Sequence, residues 1–231
     1  MARGVSLDSL VEQLKAETGH SVSVSVGVDQ VPLFKQTIRR VQETLYDDYD
    51  WPHLRVMPTK DLAAGQRHYD LPTDLNLERI EEVAIWYSNS AEPISRGISF
   101  EHYSQYNSEN DERADPVRAW DLRWTGSATQ VEVWPIPAGD DQYLQFRGIR
   151  NLRALTEGAD VADLDDRLIV LFAAAEILAR QKSADAQVKL NLAQSRYSRL
   201  KGRVTGGADM IRLGGSATDK PIRGTIIRIG A

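Results

Sequence analysis

The sequence predicts an α+β protein: a helical bundle (an N-terminal helix plus a C-terminal helical hairpin), an inserted antiparallel β domain and an extended C-terminal tail. Three observations carry that prediction. Apolar residues recur at 4-3-4 spacing before residue 50 and again after residue 163, the period of a helix with one buried face. Between about 54 and 155 the spacing shortens to alternating runs divided by turn residues, the pattern of antiparallel strands. The last thirty residues hold seven glycines, yet also Met210, Ile211, Leu213, Ile222, Ile226, Ile227 and Ile229. The boundaries that follow are 1–53 with 160–202 for the helical domain, 54–159 for the β-rich insertion and 203–231 for the tail.

In chain order, residues 6–17 read as a short helix with Leu7, Leu10, Val11 and Leu14 on one face and Ser6 as its N-cap. Residues 21–28 alternate Ser and Val strictly, which fits either a strand or an extended linker. Residues 30–49 give a second helix. Asp29 can cap it, Pro32 is tolerated in a first turn that needs no amide there, and Phe34, Ile38, Val41 and Leu45 form its buried seam. Trp51-Pro52 stops it, because the residue before a proline is pushed out of helical geometry.

In the insertion, Val131–Ile136 and Tyr143–Ile149 read as the two arms of a hairpin. Trp120, Leu122 and Trp124 share one strand face, which can interlock with Val131 and Val133 or with Leu144 and Phe146. Residues 107–115 are polar and aperiodic, so they read as an exposed loop. Helix returns at about 163. Leu164, Leu168, Leu171, Phe172, Ala175 and Leu178 make one stripe; Ala186, Leu190, Ala193, Tyr197 and Leu200 make another after a break near Ser183. Two stripes so joined predict an antiparallel hairpin, with Gly202 as its end.

Composition narrows the function. Of 231 residues, 42% are hydrophobic and 26% charged, so the chain should fold. No apolar run approaches the roughly 20 residues needed to cross a bilayer, and the N-terminus lacks the apolar core of a secretory signal. Without cysteine there are no disulfides and no thiolate metal ligands, which fits synthesis in a cytosol. The net charge is −5, unevenly placed: residues 202–231 carry five basic side chains against two acidic ones, leaving residues 1–201 at −8. An acidic body is a poor DNA-gripping surface, since phosphate affinity scales with the cations presented together.

No motif for chemistry emerges. Phosphate-binding and dinucleotide-binding glycine loops, the serine-hydrolase elbow and H-E-x-x-H are all absent from the sequence. His20, His53, His68 and His102 stand far apart, so no metal or cofactor is expected. Asp163, Asp165 and Asp166 precede a helix, where capping and dipole complementation account for them. Asp47, Asp48 and Asp50 sit at a helix C-terminus, where acids oppose the dipole; they read as a solvated end, with a glycosidase-like carboxylate pair the formal alternative. Arg118, Arg123, Arg147, Arg150 and Arg153 interleave with Trp120, Trp124, Tyr143 and Phe146. At strand spacing those aromatics are core before they are a stacking platform. The tail is too glycine-rich to be helical and too apolar for an indifferent linker; its composition suits adding structure to a partner.

The order of parts supplies the remaining clue. A helix closes on Tyr49-Asp-Trp-Pro-His-Leu54; Tyr69-Asp-Leu-Pro-Thr-Asp74 follows, then a turn at Trp134-Pro-Ile-Pro137 and an alanine-rich helix at Ala173–Ala179. Over about residues 30–200 this resembles the head-to-tail adaptor (connector) proteins of tailed bacteriophages, including the tail tubular protein A type. The resemblance implies a non-enzymatic virion protein at the head–tail junction, made in the host cytoplasm. It implies a homo-oligomeric ring, usually of twelve subunits, beneath the portal protein. The ring would join the portal to a tail or nozzle protein and line a channel for DNA that is not bound by sequence, a channel to which Asp47, Asp48 or Asp50 would contribute a channel-facing acidic lining. The helical domain would form the ring and the C-terminal extension would reach into the portal. The alternative from another class is a carbohydrate-binding or tail-fibre β-sandwich module.

Overall fold

The computed structural model describes residues 3–20 and 30–205. The Ser-Val repeat, Asp29 and the seven apolar tail residues from Met210 to Ile229 lie outside the described residues. The rest is α+β, with five helices and two sheets.

The helices form where the apolar periodicity placed them. In α1 (Leu7–Glu17) the Ser6 hydroxyl accepts from the Ser9 amide at 3.4 Å, and Leu7, Leu10 and Leu14 are fully buried. α2 (Val31–Asp47) carries Pro32 in its first turn and buries Phe34, Ile38, Val41 and Leu45. It ends before the proline acts: Trp51, extended ahead of Pro52, turns back and donates its Nε1 hydrogen to the Leu45 carbonyl at 2.8 Å. One of the acceptors that every helix end leaves open is thereby filled.

α4 (Asp166–Arg180) is capped by Asp165, whose carboxylate accepts from the Leu168 amide at 2.9 Å. It is buried on most of its circumference because α1, α2 and α5 (Asp185–Thr205) all pack on it. Lys182, at φ 56°, reverses the chain, and Arg196 of α5 pairs with Asp165 at 2.7 Å, so the two helices run antiparallel. Gly202 does not end α5, which continues to Thr205. The position is exposed and a side chain there would meet nothing. A glycine inside a solvent-facing turn lowers helix stability by only about 1 kcal/mol and does not forbid it.

The insertion is two packed sheets. In the first, β9 (Gln142–Arg150) is flanked on one edge by β1 (Arg55–Val56) and β2 (Thr59–Asp61), and on the other by β4 (Leu75–Tyr87), which pairs with β5 (Ser90–Pro93). In the second the order is β3 (His68–Tyr69), β8 (Thr129–Trp134), β7 (Ala119–Trp124), β6 (Ser95–Arg96). The hairpin expected between Val131–Ile136 and Tyr143–Ile149 is therefore not formed: β8 pairs with β7 and β3, while β9 pairs with β4, β1 and β2. Both segments alternate correctly, but the connection between them crosses from one sheet to the other. Alternation reports a buried face; it does not name the neighbour.

Trp120 lies opposite Val133 and Leu122 opposite Val131 in the β7–β8 register, and Trp120 meets Phe146 of the other sheet edge-on at 6.3 Å. Both sets of partners anticipated for that face are thus engaged. Trp124 is not core; it is 66% exposed. The loop at 107–115 is largely exposed around one short 3-10 turn, Ser108–Asn110. A six-residue helix, α3 (Phe100–Gln105), has no buried residue and left no periodic signal.

A core of α1, α2, α4 and α5 side chains takes in Leu54, Ile149 and Leu155 from the chain entering and leaving the insertion. A second core fills the space between the sheets. Gly148 sits where β4 is bulged. A Cβ at that position would stand 2.6 Å from the Arg79 carbonyl oxygen and 2.9 Å from Leu75 Cδ1. Gly148→Ala should therefore cost about 1–3 kcal/mol, the range for overpacking. Urea unfolding monitored by tryptophan fluorescence would show it as a lowered midpoint.

Candidate functional site

The helical half and the insertion meet at Asp163. Its carboxylate is buried and accepts from Arg150, from Arg153 Nε at 2.7 Å and from the Arg153 amide at 2.9 Å. The Asp163 amide donates to Gln42 of α2 at 3.2 Å, and His53 Nε2 donates to its carbonyl at 3.0 Å. Burial alone would raise this carboxyl; the hydrogen bonds and charge of Arg153 and Arg150 outweigh it and hold the group below the usual carboxylate range. Its neighbour Asp165 does the capping. Asp163 instead fixes the end of β9 against α2.

The three acids at the end of α2 separate. Arg79 of β4 reaches across the gap, donating to the carbonyls of Tyr46 at 2.7 Å and Asp47 at 2.9 Å. The same guanidinium lies 3.3 Å from the Asp50 carboxylate and 3.7 Å from that of Asp47. It also stacks over the Tyr46 ring at 4.4 Å. A cation from the β half therefore supplies what the helix C-terminus lacks. Asp48 points elsewhere, to the rim of a groove.

That groove lies between α2, α4 and α5 and has a volume of about 390 Å³. Its walls include Val41, Leu45, Phe172, Ala175 and Leu190; Asp48 stands on its rim, and so do Arg40 and Glu176, which are joined by an ion pair. Ala186 and Leu190 line it rather than closing the helix pair completely. At one end, Trp51 packs between Tyr49 and Tyr197, with ring centroids 5.1 and 6.1 Å away. The Lys201 ammonium lies over the Tyr197 ring at 4.2 Å and the Tyr49 ring at 4.9 Å. The last described turns of α5 are thereby held to the Tyr-Asp-Trp-Pro corner, and from there the chain leaves for the tail. Across the hairpin, Val188 and Leu192 project into solvent at 57% and 51% exposure.

In the insertion, Glu132 is buried among cations. Its carboxylate accepts from Arg67 Nε at 2.8 Å, Arg123 Nε at 2.5 Å and the Tyr103 hydroxyl at 2.8 Å. Arg67 pairs with Glu109 as well, at 2.7 Å. Burial pushes the carboxyl up; Tyr103 and the two guanidiniums push it down further, so Glu132 lies below the usual range. Strand alternation assigns Glu132 to the outer face of β8. That face is covered by the side chains of α3 and the following loop, which is why the residue escapes a reading of the sequence. The four histidines stay apart: His53 binds the Asp163 carbonyl, His102 abuts Trp134 at 4.5 Å, His20 contacts Phe34, and His68 lies on β3. Among the described residues no group of three or more His, Asp or Glu is arranged to hold a metal ion. None of the described helices is long and apolar enough to cross a membrane.

Two cores joined across Asp163 and Arg79, with an open groove on the helices, make up the described chain. The sequence matches a protein-family model, the SU10 adaptor protein family, over residues 6–218. The chain belongs to this family. It is a phage adaptor-type protein, which agrees with a structural role in the virion and with association with portal and tail components. No curated protein matches it. The matched span contains every described helix and strand, and runs on through Met210, Ile211 and Leu213 of the tail.

Because Glu132 and Asp163 release protons more readily folded than unfolded, the unfolded adaptor takes up protons first on acidification. Their stabilisation is complete above the unfolded carboxylate range of about 4 and drains away as pH falls through the lower folded values. Burial depresses His53 and His68 too, adding a loss that starts below about pH 6.5. Glu132→Gln should cost about 3 kcal/mol at pH 7, as for one partner removed from a buried pair, and should flatten the loss below pH 4. Urea midpoints from pH 8 to 3 for both proteins provide the check.

Proposed function

We propose that this adaptor is a structural, non-catalytic protein of the tailed-phage head–tail junction. Copies close into a ring beneath the portal protein, twelve being the number its motif order implies by resemblance to the tail tubular protein A type. The helical part makes the ring, the two-sheet insertion meets neighbours or the tail or nozzle protein, and residues 203–231 dock on the portal. DNA passes through the ring without being read. The family match across helices, insertion and part of the tail carries this reading. Two packed sheets suit the glycan-binding alternative as well, but that alternative leaves the helical half unexplained.

The energetics favour docking as a ring. Burying apolar surface gains roughly 25 cal/mol per Å², while ordering each residue costs about 1–2 kcal/mol. One tail with seven large apolar side chains among six glycines holds weakly; tails presented together from a ring gain by effective concentration.

Deleting residues 206–231 should leave the helical content and thermal midpoint unchanged. Binding to purified portal rings, followed by co-sedimentation, should fall at least tenfold. Equal binding by the deleted and full chains would defeat the tail's assigned role, and a full chain that neither forms rings nor binds portal would defeat the adaptor reading.

A further inference from the structure

We propose that the ring contact is head-to-tail, with the exposed strip of α5 on one copy seated in the α2–α4–α5 groove of the next. The inference rests on the ring reading above and specifies the two surfaces that meet.

α5 is apolar on two flanks. Ala186 and Leu190 line the groove. Val188, Leu192, Ser195 and Arg199, at 4-3-4 spacing, lie about half a turn further round the helix and are exposed. An exposed strip, whose Leu192, Ser195 and Arg199 also border a smaller hollow beside Arg167 and Leu171 of α4, and a recess on the opposite flank of the same helix cannot satisfy each other within a chain. A two-fold dimer would need both surfaces turned towards the same partner, and they lie on opposite flanks of α5. Repeating one heterologous contact around an axis satisfies both in every subunit except at an open end, and closure removes the ends.

Charge agrees with this arrangement, level by level. α2 and α5 run in the same direction: Arg40 pairs with Glu176 towards the start of α5, whereas Tyr49 and Trp51 meet Lys201 and Tyr197 at its finish. At the lower end the groove rim has Arg40, whose partner Glu176 is also shared with Arg180 just outside it; at the upper end it has Asp48. The strip has the reverse order. Asp185 lies on its side of the helix at the lower end and Arg199 at the upper, with Arg167 of α4 beside it. Rotation about an axis parallel to α5 preserves height, so it carries Asp185 to Arg40 and Arg180, Leu192 to the apolar floor, and Arg199 to Asp48. Ser195 then comes level with Thr44, one turn below Asp48 on the groove wall.

The absence of cysteine from the chain makes a direct test clean. Thr44→Cys and Ser195→Cys change exposed residues. The full chain carrying both, treated with a short bismaleimide alone and with portal rings present, should give a ladder of covalent multimers on a denaturing gel. Each single variant should stay monomeric. Adding Leu192→Glu should cut the ladder at least tenfold without moving the thermal midpoint. Asp48→Arg and Arg199→Asp should each weaken it, and combining the two should restore it. Dimers from Ser195→Cys alone would overturn the proposal, as would the lack of a ladder from the double variant. Negative-stain images separate the two failures: rings without a ladder sink this contact only, whereas no rings and no ladder sink the adaptor reading with it.

Discussion

The ion cluster at Asp163 is the constraint on which the rest of the molecule depends. A carboxylate taken wholly out of water is stable only if its lone pairs are filled and its charge is opposed. Arg150, Arg153 and the Arg153 amide do this from the strand side, while Gln42 and His53 hold the backbone of the same residue from the helical side. Losing Arg150 or Arg153 leaves a buried charge short of partners, and losing Gln42 or His53 leaves a backbone group unpaired, so strand and helix are tied at this residue. Arg79 repeats the principle by bracing the end of α2 from β4.

The helical half is divided between closure and openness. α4 is enclosed by three helices, and its small side chains, Ala173 and Ala174, are fully buried. By contrast, the groove edge leaves Ala186 and Leu190 half-buried and Val188 and Leu192 in solvent. Large apolar groups kept exposed on a stable helix are costly for solubility and are usually a sign of contact with another molecule. The insertion also leaves Met57, Phe100 and Trp124 exposed, while its buried charge, Glu132, is matched by Arg67 and Arg123.

What the sequence made legible was periodicity. The seams of α1, α2 and α4 could be read residue by residue, because 4-3-4 spacing has one structural meaning. Strand faces could be read the same way, down to Trp120 and Leu122 against Val133 and Val131. Pairing could not. The β8 and β9 segments alternate as hairpin arms do, but the chain between them changes sheet, which local alternation does not report. Gly202 misled for a similar reason: a stop signal is only a preference when the turn is solvated. Glu132 and the groove were invisible because each is made by elements distant in sequence. The partner of Asp47 and Asp50, Arg79, is some thirty residues downstream in a strand.

The clasp of Lys201 over Tyr49 and Tyr197 has a mechanical consequence. A cation above aromatic faces tolerates small rotations of the side chain but resists being drawn away from the rings. Tension applied to the polypeptide past residue 205 enters the body at this clasp. It is then borne by Trp51 and passed through the indole hydrogen bond into the last turn of α2. A pull on the C-terminal extension thus loads the corner that joins helices to sheets, instead of peeling α5 away from α4 one turn at a time.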